Sequence, residues 1–252
     1  MTFNVAASAY DAFMGRYSRL LAGQMADLAG VRRGDRAIDI GCGPGALTTE
    51  LVARLGADHV AAVDPSASFV AAVQERLPGV DVRLAGAESL PLGDGAFDAA
   101  LAQLVVHFMT DPVKGIAEMR RVTRRGGVVA ACVWDHAGAR GPLNAFWRAV
   151  ATLDPDVPSE AHLPGVREGH LAELFVAAGL RDVVPTTVSA QLLHESFEAW
   201  WEPFEAGVGP AGAYVGKLTP DGRVALRERC RELLPPAPFT LEALAWAARG
   251  VA

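Results

Sequence analysis

The sequence predicts an α/β fold in which one mostly parallel, seven-stranded sheet lies between layers of helices. Segments of strand length alternate with segments whose apolar residues recur at helical spacing, as expected of strands joined by crossover helices. The first predicted strand runs directly into a glycine-rich turn that opens a helix. Two further strands close the chain after a five-strand set, which favours an antiparallel last strand. The 252 residues can bury one core, so we expect a single domain.

The first half of the chain supplies an N-terminal helix over residues 8–28, interrupted at Gly15, and then five strands. Ser66 stands where it would cap the second helix after the glycine turn, and Pro112 fits the first position of a later helix. The predicted strands cover residues 36–40, 59–64, 80–84, 97–102 and 128–134, and the predicted helices cover residues 46–55, 66–77 and 112–123.

Four arginines are predicted to lie in the last turn of the helix over residues 112–123. They are Arg120, Arg121, Arg124 and Arg125, and Gly126-Gly127 is expected to end the helix. Cations near a helix C-terminus complement the helix dipole. We therefore interpret the cluster as structural.

The second half contains a predicted helix over residues 171–178, a sixth strand over 183–192 and a last strand over 239–247. Residues 195–238 separate the last two strands. This stretch is rich in aromatic residues and prolines, is mostly helical in pattern, and is interpreted as an insertion that covers a site.

The composition excludes several classes of protein. Hydrophobic residues make up 51% of the chain and charged residues 21%, which is typical of a folded domain rather than a disordered chain. No apolar run reaches the roughly 18 residues of a membrane helix, and the first residues lack the pattern of a secretory signal. A net charge of −6 argues against a nucleic-acid partner. We therefore expect a small-molecule substrate and no membrane insertion.

Cysteine and histidine usage points to a reduced compartment and to no bound metal. The three cysteines lie far apart and form no CxxC pair, so a cytoplasmic location is expected. The other five histidines beside His107 show no metal-ligand spacing.

The turn after the first strand reads Gly41-Cys42-Gly43-Pro44-Gly45-Ala46, which satisfies the dinucleotide fingerprint at Gly41, Gly43 and Ala46. Glycine is needed there because a ligand that lies against bare backbone leaves no room for a Cβ. Asp64 ends the next strand, where its carboxylate can accept hydrogen bonds from two ribose hydroxyls. At this point both NAD and S-adenosylmethionine are admissible ligands.

Two features separate these ligands. Asp39 stands two residues before Gly41, and a carboxylate there disfavours the anionic pyrophosphate of a dinucleotide. It is compatible with a ligand that carries an ammonium and a sulfonium group. An antiparallel last strand also differs from the six parallel strands of the dinucleotide-binding arrangement.

Several motifs, in order and at matching spacing, resemble those of the class I S-adenosylmethionine-dependent methyltransferases. They look most like the branch that contains the ubiquinone/menaquinone-biosynthesis C-methyltransferases and many small-molecule methyltransferases. The motifs are residues 39–45, Asp64, residues 87–92 with 95–98, and residues 125–127. The resemblance covers residues 10–134 strongly and the remainder in outline. It implies a Rossmann-like three-layer sandwich that converts S-adenosyl-L-methionine to S-adenosyl-L-homocysteine.

The resemblance also implies roles for individual residues around the cofactor. The methionine portion would be held by Asp39, Ile40, Gly41 and Gly43; the ribose by Asp64; and the adenine by Pro65, Ser66, Ala87 and Glu88. The sequence departs from the family at Gly86, where an aspartate often meets the adenine amino group. Three of these residues have structural alternatives: Asp39 as a helix cap, Asp64 as a turn residue and Glu88 as a solvent-facing side chain.

The segment after the fourth strand is implied to border both the cofactor and the acceptor. Gln103, Leu104 and Val105 would be cofactor neighbours, and His107 is the candidate general base, since its ordinary pKa lies near neutrality. The structural alternative for His107 is a hydrogen bond within the following helix.

The N-terminal segment resembles the lid helix of the family. Tyr10, Arg16 and Tyr17 would then contact the cofactor, with Arg16 paired to the cofactor carboxylate. The alternative for Arg16 is a surface cation on an amphipathic helix.

Aromatic residues concentrate in the second half of the chain. Core packing explains most of them, and their concentration in the insertion hints at an apolar substrate cleft. They are Phe146, Trp147, Trp200, Trp201, Phe204 and Tyr214.

The predicted function is methyl transfer to a small, partly apolar acceptor by in-line displacement. The alternatives are a nicotinamide-dependent oxidoreductase and a non-catalytic, S-adenosylmethionine-binding regulatory module. We expect a monomer or homodimer in which residues 1–28 form lid helices and 29–136 the cofactor-binding core. Residues 137–192 would add helices and the sixth strand, 193–238 a helical cap, and 239–252 the last strand.

Overall fold

The computed structural model describes residues 7–252. Seven strands form one sheet: β1 Ala37–Ile40, β2 Val60–Asp64, β3 Asp81–Leu84, β4 Phe97–Gln103, β5 Thr123–Trp134, β6 Arg181–His194 and β7 Phe239–Val251. Their order across the sheet is β3-β2-β1-β4-β5-β7-β6. Strands β1 to β5 pair in parallel, and β7 lies antiparallel between β5 and β6. The predicted fold class, including the antiparallel last strand, is confirmed.

Within residues 7–252 the α-helices are α1 Ala7–Tyr10, α2 Arg16–Ala29, α3 Ala46–Leu55, α4 Ala67–Arg76, α5 Pro112–Val122, α6 Asn144–Leu153, α7 His170–Ala177, α8 Phe197–Glu205, α9 Gly209–Lys217 and α10 Pro220–Leu233. A π-helical turn, Asp11–Gly15, joins α1 to α2, and short 3-10 turns cover Ala57–His59, Val106–Phe108 and Glu160–His162. No helix in the described range is long and apolar enough to cross a bilayer.

The central strands β1, β2 and β4 are buried on both faces, which is why they are almost uninterrupted apolar runs. One face packs on α2 and α3 through Leu21, Met25 and Leu51. The other packs on α5 and α7 through Ile116 and Phe175. Together these contacts make the three-layer arrangement expected from alternating strands and helices.

Helix α5 ends earlier than predicted. Its last residue is Val122, and Thr123 begins β5 while its hydroxyl donates a hydrogen bond of 2.7 Å to the carbonyl oxygen of Met119. Gly126 and Gly127 therefore lie inside a strand and do not terminate the helix. The prediction was wrong here because a β-branched residue and the pairing of β5 with β4 outweigh the helical pattern.

The arginine cluster is divided by this boundary. Only Arg120 and Arg121 lie in the last turn of α5. Arg121 pairs with Glu118 and Asp94, at 2.7 Å and 2.6 Å. Arg124 lies in β5 and pairs with Asp98. These contacts support a structural role, although the helix dipole accounts for only half of the cluster.

Residues between β6 and β7 form a helical cap built from α8, α9 and α10, as the pattern predicted. Helix α6 packs on α10 and completes it. The cap has its own core, which includes Phe146, Trp200, Trp201, Phe204, Val215 and Leu226. The aromatic residues that the sequence explained mostly by core packing do belong to this core or pack against it, because large apolar side chains gain most by complete burial.

The N-terminal segment bridges the cap and the parallel sheet. On the cap side, the rings of Phe13 and Phe204 meet edge to face with centroids 5.1 Å apart. On the sheet side, the Asp11 carboxylate accepts a hydrogen bond of 2.9 Å from Arg76 in α4. The π-helical turn between α1 and α2 lies where Gly15 predicted an interruption. A Cβ on Gly15 would lie 2.6 Å from the Asp11 carboxylate.

We predict that Gly127→Ala destabilises the protein. An added Cβ would lie 2.5 Å from the backbone oxygen of Asp98 and 2.6 Å from the methyl carbon of Thr123, where β4 and β5 pair. Such overpacking costs about 1–3 kcal/mol and should lower Tm by roughly 2–10 °C in a thermal melt. Gly216→Ala is the control, since its Cβ would meet open space. Equal Tm values for the two variants would contradict the predicted clash.

Candidate active site

A cavity of about 240 Å³ opens at the carboxyl ends of β1, β2 and β4. Crossover helices diverge at this point of a parallel sheet and leave a crevice there. The cavity is lined by Tyr10, Gly41, Gly43, Asp64, Pro65, Phe69, Gly86, Ala87, Glu88, Gln103, Leu104, Val105, Phe108, Met109 and Thr110. Most of the residues that the sequence assigned to the cofactor are thus brought together on one surface.

The glycine turn adopts backbone conformations that other residues rarely reach. Gly41 has φ +69°, and a Cβ on it would lie 2.6 Å from the side-chain methyl carbons of Val105. The amides of Gly41 and Cys42 both donate to the carbonyl oxygen of Val63, at 2.8 Å and 3.0 Å. The turn is therefore pulled back against β2, and the backbone at Gly41 forms part of the cavity wall.

Asp64 joins the glycine turn to the loop that follows β2. Its Oδ2 accepts a hydrogen bond of 2.9 Å from the amide of Gly43, and its Oδ1 accepts one of 2.8 Å from the amide of Ser66. Burial raises the pKa of the carboxyl group, and the two backbone donors oppose that rise. Each oxygen retains acceptor capacity toward the cavity, so the site can hold a vicinal diol.

Asp39 is buried beside a smaller cavity that also borders Ser18 and Gln103. Its Oδ2 accepts a hydrogen bond of 2.7 Å from the hydroxyl of Thr48 in α3. Burial raises the pKa of Asp39 to about 7, and the neighbouring Asp64 also raises it. Asp39 does not cap α3, whose N-cap is Gly45; its carboxylate instead accepts a hydrogen bond from within the helix and borders a cavity.

Gln103 presents an unsatisfied acceptor in the same place. Its Nε2 donates to the carbonyl oxygen of Ser18 at 2.9 Å, which orients the amide, and its buried Oε1 has no hydrogen-bond partner within residues 7–252. Buried acceptors are normally paired, so an orphaned one indicates a missing donor.

The cavity at the strand ends and the small cavity beside Asp39 are lined by hydrogen-bond acceptors and by no cation. The residues that line them include Asp39, Asp64 and the Gln103 oxygen, and neither set contains lysine or arginine. These groups fit a ligand that brings an ammonium group, a sulfonium group and ribose hydroxyls. A pyrophosphate would instead face two carboxylates without a compensating cation. This set of hydrogen-bond acceptors therefore fits S-adenosylmethionine and not a dinucleotide.

The far end of the cavity is bounded by Ala87 and Glu88. Glu88 is half-buried, and its Oε1 accepts a hydrogen bond of 2.8 Å from the amide of Thr110. Glu88 is thus tied to the segment before α5 and does not simply face solvent. Phe69, Phe108 and Met109 add apolar walls that sequence reasoning missed, since nothing in their local pattern distinguishes them from core residues.

Two of the predicted cofactor contacts in the N-terminal segment lie elsewhere. Arg16 donates to the carbonyl oxygen of Ala199 in α8 at 3.0 Å, and so contacts the cap. Tyr17 is buried with its hydroxyl 3.0 Å from Nε2 of His194. Neither lines the cavity, because α2 turns both side chains away from the glycine turn. Tyr10 does line it, and its ring meets that of Phe69 with centroids 5.3 Å apart.

Ile40 and Ser66 also lie outside the cavity lining. The Ile40 side chain belongs to the core on the face that packs against α5. Ser66 is buried behind Pro65, and its amide holds the Asp64 carboxylate. Ser66 occupies the predicted N-cap position of α4. Any contribution of these two residues to the cofactor site is therefore indirect.

A further cavity, of about 30 Å³, is distinct from the small cavity beside Asp39, and we call it the second cavity. It shares Tyr10, Leu104 and Phe108 with the cavity at the strand ends. Leu104 stands between the two with φ +62°, a strained conformation for a residue with a side chain. Its amide donates to the carbonyl oxygen of Cys132 at 2.9 Å, which fixes the kink. The other lining residues are Phe13, Met14, His107, Trp134, His136, Leu143, Glu160, Val208, Gly209, Pro210 and Ala211.

His107 borders the second cavity and not the first. It is 3% exposed, and burial together with the nearby His136 holds its pKa well below the ordinary value. Its Nδ1 has no hydrogen-bond partner among the residues that the structure describes. His136 and Glu160 lie beside it, and sequence spacing missed this grouping because the three residues come from separate turns.

Comparison with known proteins identifies the domain. A family model described as a methyltransferase domain matches residues 38–131. These residues contain β1, the glycine turn, Asp64 and the segment from Gln103 to His107. Residues 38–131 match this methyltransferase domain, and the class I, S-adenosylmethionine-dependent family is the one that the sequence motifs resemble. S-adenosylmethionine is accordingly its cofactor, in agreement with the hydrogen-bond acceptors that line the cavity.

Relatives extend the match without covering whole proteins. The malonyl-[acyl-carrier protein] O-methyltransferase of Erwinia billingiae is 31% identical over 162 residues, which are 64% of this chain and 62% of that protein. An uncharacterized 37.1 kDa protein of a Streptomyces fradiae transposon is 35% identical over 170 residues, which are 65% of this chain and 48% of that protein. The chain spans about half the length of the curated relatives it matches.

Solved structures share the fold. Phosphoethanolamine N-methyltransferase 2 of Haemonchus contortus, in complex with phosphomonomethylethanolamine and S-adenosylhomocysteine, gives a TM-score of 0.59 at 17% identity. The match covers 97% of this chain and 56% of that one. The YcgJ protein of Bacillus subtilis gives a TM-score of 0.56 at 20% identity and covers 91% of this chain and 97% of that one. The second match shows that the fold extends over nearly the whole of both chains.

We predict that Asp39→Asn changes stability in a pH-dependent way. The folded pKa of about 7 lies above the ordinary value of 3.8, so the native state binds the extra proton between these pH values. Stability is therefore lost as pH rises from about 4 to 7, and the uncharged variant escapes that loss. Without ligand, the stability of the Asp39→Asn variant relative to wild type should rise by about 1–4 kcal/mol between pH 4 and pH 8.

Denaturant melts at the two pH values measure this difference. Asp58→Asn, at a side chain that is 86% exposed, is the control. A difference between the Asp39→Asn variant and wild type that stays constant with pH would show that Asp39 is already charged in the folded protein.

Proposed function

We propose that the protein transfers a methyl group from S-adenosyl-L-methionine to a small, partly apolar acceptor held in the second cavity. The observation that supports this most directly is the wall shared by the two cavities at Tyr10, Leu104 and Phe108. A methyl donor in the first cavity and an acceptor in the second would come into direct contact at this shared wall, beside the strained Leu104. The apolar lining supplied by Phe13, Leu143 and the start of α9 supports an acceptor with apolar surface.

The residues of the first cavity would hold and orient the cofactor. Asp64 would accept hydrogen bonds from the ribose hydroxyls, while Asp39 and the Gln103 oxygen would face the positive methionine end. Ala87 and Glu88 would bound the adenine. When bound, the cofactor supplies a sulfonium methyl group, which is a good electrophile. The contribution of the protein is then alignment and exclusion of water, which can be worth on the order of 7–11 kcal/mol.

His107 is proposed to face the acceptor. Burial and the nearby His136 hold its pKa well below the ordinary value, so a ring nitrogen can accept a hydrogen bond from the acceptor but is a weaker base than an ordinary histidine. A dedicated base is required only for an acceptor that arrives protonated. Its position in the second cavity supports contact with the acceptor rather than with the cofactor.

The N-terminal segment is proposed to act as the lid. At about 30 Å³ the second cavity is far below the roughly 300 Å³ of ordinary ligand sites. Entry of an acceptor therefore requires residues 7–15 or the cap to move. The Asp11–Arg76 contact, which ties this segment to α4, is an exposed ion pair, and exposed ion pairs contribute little stability, which supports opening at the segment.

Turnover of labelled S-adenosylmethionine against a panel of phenols, quinols, amines and carboxylates tests the proposal. We expect transfer of label to at least one class, with S-adenosylhomocysteine formed in equal amount. Calorimetric titration with S-adenosylmethionine and with NAD runs beside it. Cofactor binding without transfer to any acceptor would favour a regulatory module, and binding of NAD alone would contradict the assignment.

We predict that Asp64→Asn weakens cofactor binding by about 1–3 kcal/mol, or roughly 5- to 150-fold in Kd. The amide keeps the size of the carboxylate but replaces one charged acceptor with a donor. Calorimetry measures Kd, and a thermal melt verifies that the turn remains folded. Asp58→Asn is the control. An unchanged Kd in a folded Asp64→Asn variant would remove Asp64 from the proposed ribose contact.

A further inference from the structure

Three potential metal ligands converge on the wall of the second cavity that faces the cap. One ligand atom each of His107, His136 and Glu160 lies within 4.8 Å of the other two. They come from the 3-10 turn after β4, the loop after β5 and the 3-10 turn Glu160–His162. Three separate turns thus bring two imidazoles and one carboxylate to a single point beside the cofactor cavity.

The carboxylate of Glu160 is buried without a cation. It is 5% exposed, and its Oε2 accepts a hydrogen bond of 2.9 Å from the indole N–H of Trp147. Within residues 7–252 it enters no ion pair, and the indole N–H of Trp147 is a neutral donor. Buried carboxylates are normally paired with a cation or bound to a metal, so this group lacks a positive partner.

The two imidazoles lie next to each other at this point of the cavity wall. Their ring centroids are 5.9 Å apart in an edge-to-face arrangement, and the buried Nδ1 of His107 has no partner in the described part of the chain. Neutral imidazole nitrogens next to an unpaired carboxylate are a potential ligand set for a divalent cation.

We propose that His107, His136 and Glu160 bind one divalent transition-metal ion at the second cavity. Two histidines and one carboxylate are a recurring ligand set for Zn²⁺ and for iron, with further coordination positions left open. Bonds of about 2.0–2.2 Å place tetrahedral ligand atoms roughly 3.3–3.5 Å apart, so closure requires side-chain shifts of about 1 Å. Trp147, hydrogen-bonded to the second oxygen of Glu160, would fix the carboxylate orientation.

The chemistry of such an ion would narrow the acceptor class. An ion held by these residues would keep coordination positions for an oxygen or nitrogen atom of an acceptor in the second cavity, which shares Leu104 with the cofactor cavity. A coordinated hydroxyl group loses its proton to solvent more readily, and its electron pair then forms the bond to the methyl group as the sulfur–carbon bond breaks. This part rests on the proposed function; metal binding itself does not.

Metal titration of the full chain tests the site. Protein stripped with a chelator is titrated with Zn²⁺ by calorimetry and with Co²⁺ by visible absorption, which reports coordination by nitrogen and oxygen ligands. We expect one ion per chain. His136→Gln and Glu160→Gln should each weaken binding at least tenfold and remove the cobalt absorption, and Trp147→Phe should weaken binding less. His162→Ala, at an exposed histidine in the same 3-10 turn, should bind as wild type does.

Three results would overturn the site: no binding to the folded wild-type protein, equal binding by His136→Gln and Glu160→Gln, or an equal loss in the His162 control. Circular dichroism verifies the fold of every variant. The Kd for S-adenosylmethionine is measured on the same metal-free samples. Cofactor binding that persists while metal binding fails rejects the metal site alone, whereas loss of cofactor binding in wild type rejects the proposed function.

Discussion

The cofactor cavity depends on the two hydrogen bonds that the Asp64 carboxylate accepts from the amides of Gly43 and Ser66. They hold the glycine turn and the loop after β2 at a fixed separation across the crevice. The amides of Gly41 and Cys42 bind β2 from the other side, so the turn cannot relax outward. One side chain therefore shapes the pocket and also presents the acceptors that the pocket offers to a diol.

The same pocket is electrostatically incomplete without a ligand. Asp39, Asp64 and the Gln103 oxygen are buried acceptors on walls that hold no lysine or arginine. Burial without compensation lowers the stability of the empty protein, and a positively charged ligand with hydroxyl donors supplies the missing partners. The sign of the charge in the pocket favours S-adenosylmethionine over a dinucleotide, and glycine spacing alone does not determine that sign.

Local patterns in the sequence predicted the parallel sheet, the antiparallel last strand and the residues on the glycine turn, because these depend on periodicity and on backbone conformation. Predictions from local patterns failed where contacts between residues distant in the sequence determine the position of a side chain. Arg16 was expected at the cofactor, yet contacts Ala199 across the cap. Gly127 was expected after a helix, yet lies in β5 against β4. Glu160 carries no motif, and only the folded chain brings it beside His107.

The N-terminal segment touches both halves of the molecule, since Asp11 contacts Arg76 near the glycine turn and Phe13 contacts Phe204 in the cap. Tyr10, between them, borders both cavities. A ligand that orders this segment would lower the entropic cost of binding the other ligand, because the segment would already be ordered. Under the proposed function the two ligands would be linked reciprocally: each would raise the affinity for the other by the same factor, whichever binds first.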